Sequence, residues 1–249
     1  MTQRITKIWQ TLDTTGFADS EGLKAIAEAL RNGGVIAFPT ETVYGLGANA
    51  LSDEAVEKIF LAKGRPADNP LIVHIAEKEQ VLDLVTELDD RSKMLIEHFW
   101  PGPLTLVLNS KPGLSKYVTA GLKTVGVRMP ENELALAIIS AAGIPIAAPS
   151  ANRSGKPSPT TADHVYADLQ GRIDGIVDGG PTGLGLESTV IDMTGPTPTV
   201  LRPGGITIEQ LRTVIGPVDL AHELSDGPAK SPGTKYKHYA PEGELVLLN

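Results

Sequence analysis

Residues 124–150 read TVGVRMPENELALAIISAAGIPIAAPS. The first part, 125–129, is a short run of β-branched and aliphatic residues; residues 133–142 carry apolar side chains at helical spacing; and 144–148 is again an apolar run, stopped by Pro149. Strand, helix and strand in that order imply a sheet covered by helices.

The alternation continues on both sides. Upstream, Ser20 stands as the cap of an amphipathic helix with Leu23, Ile26, Ala27 and Leu30 on one face, and Gly33 ends it where a left-handed residue is wanted. Residues 35–38 follow as a strand stopped by Pro39, and 53–62 return to helical period with acids in the first turn. Strands are expected at 71–75, 104–108, 175–177, 189–193 and 199–201, and helices at 78–88, 91–99 and 161–169. The fold class is α/β, or mixed α+β.

From 225 to 241 the apolar period gives way to Gly, Pro, Lys and Tyr, the composition of a linker or lid. Residues 1–224 therefore read as the main domain, 225–241 as a linker, and 242–249 as the start of a second domain, so that the sequence looks cut short. A length of 249 residues suits one large α/β domain with such an appendage.

Composition narrows the function. The absence of cysteine removes disulfides, thiolate metal sites and cysteine nucleophiles. A net charge of −8 argues against a broad basic face that grips phosphates, and 4% aromatic residues leave few platforms for stacked bases. No stable direct binding to nucleic acid is expected; a small anionic ligand is. The first thirty residues carry Asp13, Asp19 and Glu21 and no signal-peptide pattern, and no stretch is of membrane-spanning length, so the expected location is the cytoplasm with no membrane partner.

Three polar segments leave the ends of strands. In 39–48, PTETVYGLGA, the glycine spacing approaches a dinucleotide fingerprint, but no helix opens at the glycines, and they read better as sites of tight backbone packing. Thr40 and Thr42 there remain candidates for ligand contact. Lys63-Gly64-Arg65 closes a helix and, taken alone, reads as a C-terminal cap with complementary cations. His74 stands inside an apolar strand, where a satisfied core histidine is the commoner reading. Residues 149–158, PSANRSGKPS, are polar with two cations and read equally as a solvated loop or a site. Arg128 and Arg202, near strand ends, offer the fork geometry that binds carboxylate and phosphate. No Walker loop, zinc spacing or nucleophile elbow is present.

Taken together, Lys63-Gly64-Arg65 and Ser150-Ala151-Asn152 resemble the KxR and SxN signature of the YrdC-domain family, the threonylcarbamoyl-AMP synthases. Residues 39–47, 69–74, 100–106, 124–130 and 186–191 resemble the family in order and spacing, and 231–241 resembles the linker of its longer members, with Thr234 where methionine is usual. The resemblance implies a twisted mixed sheet whose helices enclose a deep basic cavity. It also implies a nucleotidyltransferase: threonine amine and bicarbonate form N-carboxythreonine, whose carboxylate attacks the α-phosphate of ATP and releases pyrophosphate. The product would feed the downstream machinery that transfers threonylcarbamoyl to tRNA. Mg²⁺ is expected with the triphosphate, carried mainly by its phosphates, and no metal site of the protein's own.

By matched position the resemblance assigns catalysis to Lys63, Arg65, Ser150 and Asn152. It assigns threonine to Thr42, His74, Arg128, Ala148 and Ser188. ATP falls to Lys63, Arg65, Asn69, Thr124, Ser150, Asn152, Ser158, Arg202 and, from the linker, His238, the linker folding over the cavity as a lid. Two other readings compete. One is an RNA-binding module using the basic cavity; the other is the carbamoyl-adenylate chemistry of hydrogenase maturation, whose zinc-binding cysteines this chain lacks.

Overall fold

The computed structural model describes residues 5–11 and 20–221. The linker, the short segment after it and His238 lie outside them. In chain order the elements are β1 (Lys7–Gln10), α1 (Glu21–Arg31), β2 (Ile36–Phe38), β3 (Gly45–Asn49), α2 (Asp53–Lys63), β4 (Ile72–His74), α3 (Val81–Leu84), α4 (Asp90–Phe99) and β5 (Leu104–Asn109). Next come α5 (Lys116–Thr119), β6 (Thr124–Arg128), α6 (Glu133–Ala142), β7 (Ile146–Ala147), α7 (Ala162–Leu169), β8 (Gly175–Asp178), β9 (Thr189–Asp192), β10 (Thr199–Arg202), α8 (Ile208–Ile215) and β11 (Asp219–Leu220).

The strands form one sheet in the order β1-β8-β2-β3-β7-β4-β6-β5-β9-β10-β11. It is mixed, as expected: β4 runs parallel to β6 and β5 to β9, whereas β7 is antiparallel to both β3 and β4. The period-2 rule of strands divides the core in two. Ile36, Phe38, Ile146 and Ala148 pack with Leu23, Ile26 and Leu30 of α1 and Leu134, Ile138 and Ile139 of α6. Their neighbours Val35, Ala37 and Ala147 join the larger cluster, which contains Val56 and Ile59 of α2, Leu95 of α4, Val165 of α7 and Leu211 of α8. Alternate residues of one strand thus face different helices.

Local chemistry explains the helix ends. Ser20, Ser52, Asn132 and Thr161 each accept the capping bond from a first-turn amide, and Gly64 and Gly143 close α2 and α6 with φ of 63°.

Two elements differ from expectation. The helix expected at 78–88 is a 3-10 turn at Lys78–Gln80 followed only by α3, because Val85 is extended and bridges Ser110. The glycine-rich passage after Pro39 contains a strand, β3, between β2 and β7. A Cβ on Gly47 would lie 2.5 Å from the Phe38 ring and 2.9 Å from Ile146, so close packing requires this glycine. β1, α5, α8 and β11 had no counterpart in the sequence reading.

Candidate active site

The ends of β4, β6 and β10 and the connections beside β3 and β7 surround an open cavity, whose empty space is about 570 Å³ with the open solvent at its mouth included. Register sets its floor: His74 of β4 sits opposite Arg128 of β6 and opposite Ile146 of β7. The 149–151 segment is stitched to β3, since Leu46 N–H donates to the Pro149 carbonyl and Ala151 N–H to that of Tyr44. Thr40, Thr42, Arg65, His74, Arg128, Ala148, Ser150, Glu187, Ser188 and Arg202 are among the lining residues. A deep basic cavity was expected; the one observed has three arginines and one glutamate in its wall.

Two of the arginines share a design. Arg128 Nη2 lies 2.6 Å from Glu41 Oε2 and donates to Thr42 Oγ1 at 3.1 Å. Arg202 Nη1 lies 3.2 Å from Glu187 Oε2, while its Nη2 donates to Ser188 Oγ at 3.1 Å. Each guanidinium therefore holds a glutamate and the hydroxyl of the next residue. The hydroxyls are fixed in turn: Thr40 Oγ1 is 2.8 Å from Thr42 Oγ1 and receives the amides of Thr42 and Val43, and Thr105 Oγ1 is 2.8 Å from Ser188 Oγ.

Lys63 and the 150–152 segment form a second unit. Lys63 Nζ donates to the Ser150 carbonyl, to the Asn152 carbonyl at 2.7 Å and to Asn152 Oδ1 at 3.4 Å. Ser150 Oγ also donates to Asn152 Oδ1, at 2.6 Å. Burial, with the Arg65 charge added, pulls the Lys63 ammonium down to about 7. Its nitrogen faces the peptide of the SxN segment and does not line the cavity, so it positions Ser150, which does. Arg65 reaches the cavity from beyond the cap, and its Nη2 donates to the carbonyls of Asn69 and Pro70.

The remaining expected residues are spread out. Ala148 lines the cavity, and its amide donates to the Ile72 carbonyl. Asn69 and Asn152 are buried behind the wall, Ser158 donates to Glu187 Oε1 at 2.8 Å, and Thr124 sits at the far end of β6 from Arg128, paired with Asn109. His74 is held neutral: burial, then the Arg128 charge, lowers its pKa to about 3. It can therefore both donate and accept a hydrogen bond at neutral pH.

Sequence reasoning did not single out Glu41, Glu187 or Thr105. The first two were visible only as acidic neighbours of Thr42 and Ser188; their arginine partners come from strands far away in sequence. Among the described residues, no group of three or more His, Asp or Glu could hold a metal. With one carboxylate in the wall, the donor set fits Mg²⁺ arriving on phosphate oxygens better than a resident ion.

Known proteins resemble this chain in sequence and in fold. The family model Sua5_yciO_yrdC, described as telomere recombination, matches residues 28–204, and that of the threonylcarbamoyl-AMP synthase C-terminal domain matches 206–249. The threonylcarbamoyl-AMP synthase of Bacillus subtilis is 60% identical over 224 residues, and that of Pyrococcus abyssi is 53% identical over 229. These alignments cover 89% and 91% of this chain but 65% and 67% of those proteins. The crystal structure of P. abyssi Sua5 complexed with L-threonine superposes with a TM-score of 0.89 at 49% identity, covering 96% of this chain and 70% of that one. By sequence over most of its length and by fold, the chain belongs to the Sua5/YciO/YrdC family.

Proposed function

We propose that this protein is an L-threonylcarbamoyladenylate synthase, joining L-threonine, bicarbonate and the AMP part of ATP with release of pyrophosphate. The observation that carries the reading is the convergence of Arg65, Arg128 and Arg202 with the hydroxyls of Thr42, Ser150 and Ser188 in one cavity. The reaction gathers three substrates that each carry negative charge, and fixed guanidinium groups in a partly desolvated site offset that repulsion best where charge develops. Support also comes from relatives named threonylcarbamoyl-AMP synthase and from a solved relative with L-threonine.

In this reading Arg128 and Thr42 take the threonine carboxylate, and neutral His74 with Ser188 orients the rest of the amino acid. Threonine differs from serine by one methyl, worth only ~1–3 kcal/mol, whereas a hydrogen bond to its hydroxyl rejects valine more strongly. Arg65, Ser150 and Arg202 take the phosphates, Lys63 and Asn152 hold Ser150 in place, and Asn69 and Ser158 support the nucleotide side from behind the wall through Arg65 and Glu187, whereas Thr124, at the far end of β6, is not among the lining residues. Mg²⁺, when it enters with ATP, neutralises phosphate charge. No covalent enzyme intermediate is needed: the carboxylate of N-carboxythreonine displaces pyrophosphate from the α-phosphorus, and alignment with charge compensation supplies the rate. The linker, with His238, closes the cavity, and the product passes to the tRNA threonylcarbamoyl-transfer machinery.

Incubation with ATP, Mg²⁺, bicarbonate and L-threonine should give threonylcarbamoyl-adenylate by mass detection, with stoichiometric pyrophosphate. Arg65→Ala should lower the rate about a hundredfold or more while leaving the fold intact. Absence of the adenylate from the unaltered protein would refute the reading.

A further inference from the structure

The Arg128–Glu41 contact is unusual in what it lacks. Both side chains are buried, 5% and 12% exposed, and the charges are 2.6 Å apart. Yet neither Glu41 oxygen makes a hydrogen bond to any group among the described residues. Arg128 is differently placed: Nε donates to the Gly102 carbonyl at 3.3 Å and Nη2 to Thr42 Oγ1 at 3.1 Å, so it keeps its position without Glu41. Glu187 makes the useful contrast, because Ser158 Oγ holds its carboxylate from the side away from Arg202. Glu41 thus depends on Arg128, while Arg128 does not depend on Glu41.

A buried carboxylate without hydrogen-bond donors is costly, and costlier still if its one cation is taken away. A ligand that brings only a carboxylate to Arg128 would strand Glu41. A ligand that brings a carboxylate and an ammonium satisfies both: its carboxylate takes Arg128 and its ammonium takes Glu41, so that one internal ion pair is exchanged for two with the ligand. Glu41 does not itself line the cavity, and both its oxygens are buried; it lies between Thr40 and Thr42, which do line it. The ligand's ammonium therefore meets the carboxylate only as that group turns from Arg128 towards the cavity, while its backbone stays pinned by the amides of Leu184 and Gly185 on the carbonyls of Glu41 and Thr42.

We propose that Glu41 is a specificity-determining residue that selects zwitterionic α-amino acids over plain carboxylates through this exchange of partners at Arg128. The idea deepens the reading of the cavity as a threonine site and rests on it. Glu41→Gln keeps the shape and removes the charge. Calorimetric titration of the full chain and of this variant with L-threonine and with 3-hydroxybutanoate, its analogue without the amino group, reads the selectivity directly. The preference for L-threonine should fall about tenfold in the variant, with the analogue binding more tightly than to the unaltered protein.

An unchanged preference would overturn the proposal, whatever the absolute affinities. If the variant does not fold, the unaltered protein still decides: the ¹³C resonance of the Glu41 carboxyl should move on adding L-threonine, and a stationary resonance would overturn the exchange. The two readings fail separately. Adenylate formation with unchanged selectivity sinks the role of Glu41 alone, and lost selectivity without adenylate formation sinks the synthase alone. Absence of any carboxylate binding sinks both.

Discussion

His74 sits where an imidazole is tolerated only without its charge. It is 3% exposed, it is the register neighbour of Arg128, and burial and that guanidinium together hold its pKa near 3. An unfolded chain returns it to about 6.5, so between these values the unfolded state binds more protons and stability rises with pH. The contribution is complete above pH 6.5 and is lost as pH falls towards 3. At pH 5 the loss relative to neutrality is about 2 kcal/mol. Urea denaturation of the protein and of His74→Gln from pH 7 to 4 should show a shallower acid limb in the variant, and parallel curves would contradict this account. Lys63 illustrates the same physics with a different outcome. Its nitrogen is also desolvated, but three oxygens of the 150–152 segment receive it, so it fixes a loop instead of waiting for a ligand.

Elements bring these residues together, and here glycine matters more than charge. At Gly204, just past β10, a Cβ would run into the backbone of Glu187, Ser188 and Thr189, so β10 can deliver Arg202 to Ser188 only because this residue has no side chain. Gly204→Ala should cost about 2 kcal/mol and also weaken ligand binding in the cavity, because relief of the clash moves Ser188 and Glu187. Thermal denaturation with calorimetric titration would check both, and a stable variant with unchanged affinity would refute the coupling. The sequence made the elements legible where periodicity was strong: α6 was read to the residue and Ser20 as the cap of α1, whereas the caps Ser52 and Thr161 were not, Thr161 being placed inside its helix. β3 was illegible because it is rich in glycine, and Gly47 makes room for the side chains of Phe38 and Ile146 on neighbouring strands, which the local sequence cannot reveal. Of the site, the arginines near strand ends could be seen; their glutamate partners could not, since Glu41 and Arg128 meet only after the sheet has formed.

For the whole molecule, the net charge of −8 and the three arginines in the cavity are compatible because charge is compensated locally. Arg128 faces Glu41, Arg202 faces Glu187, and on the exposed side Lys24, Lys78, Lys93 and Lys156 lie beside Glu21, Glu97, Asp90 and Asp168. The exposed pairs contribute little to stability, but among the described residues all of these pairs neutralise cations that phosphate-driven binding would otherwise use. An RNA-binding module would need the opposite arrangement: several lysines or arginines tracking a backbone, with affinity that falls steeply as added salt makes the release of counterions less favourable. A fluorescent RNA hairpin titrated at ~0.15 M salt should accordingly show no saturable binding below ~10 µM, within the range of non-specific contacts. Tight binding with a steep salt slope would place the cavity's cations in nucleic-acid recognition and reverse the reading of the site, whereas weak binding leaves them to small anions whose charge a few fixed guanidinium groups can match.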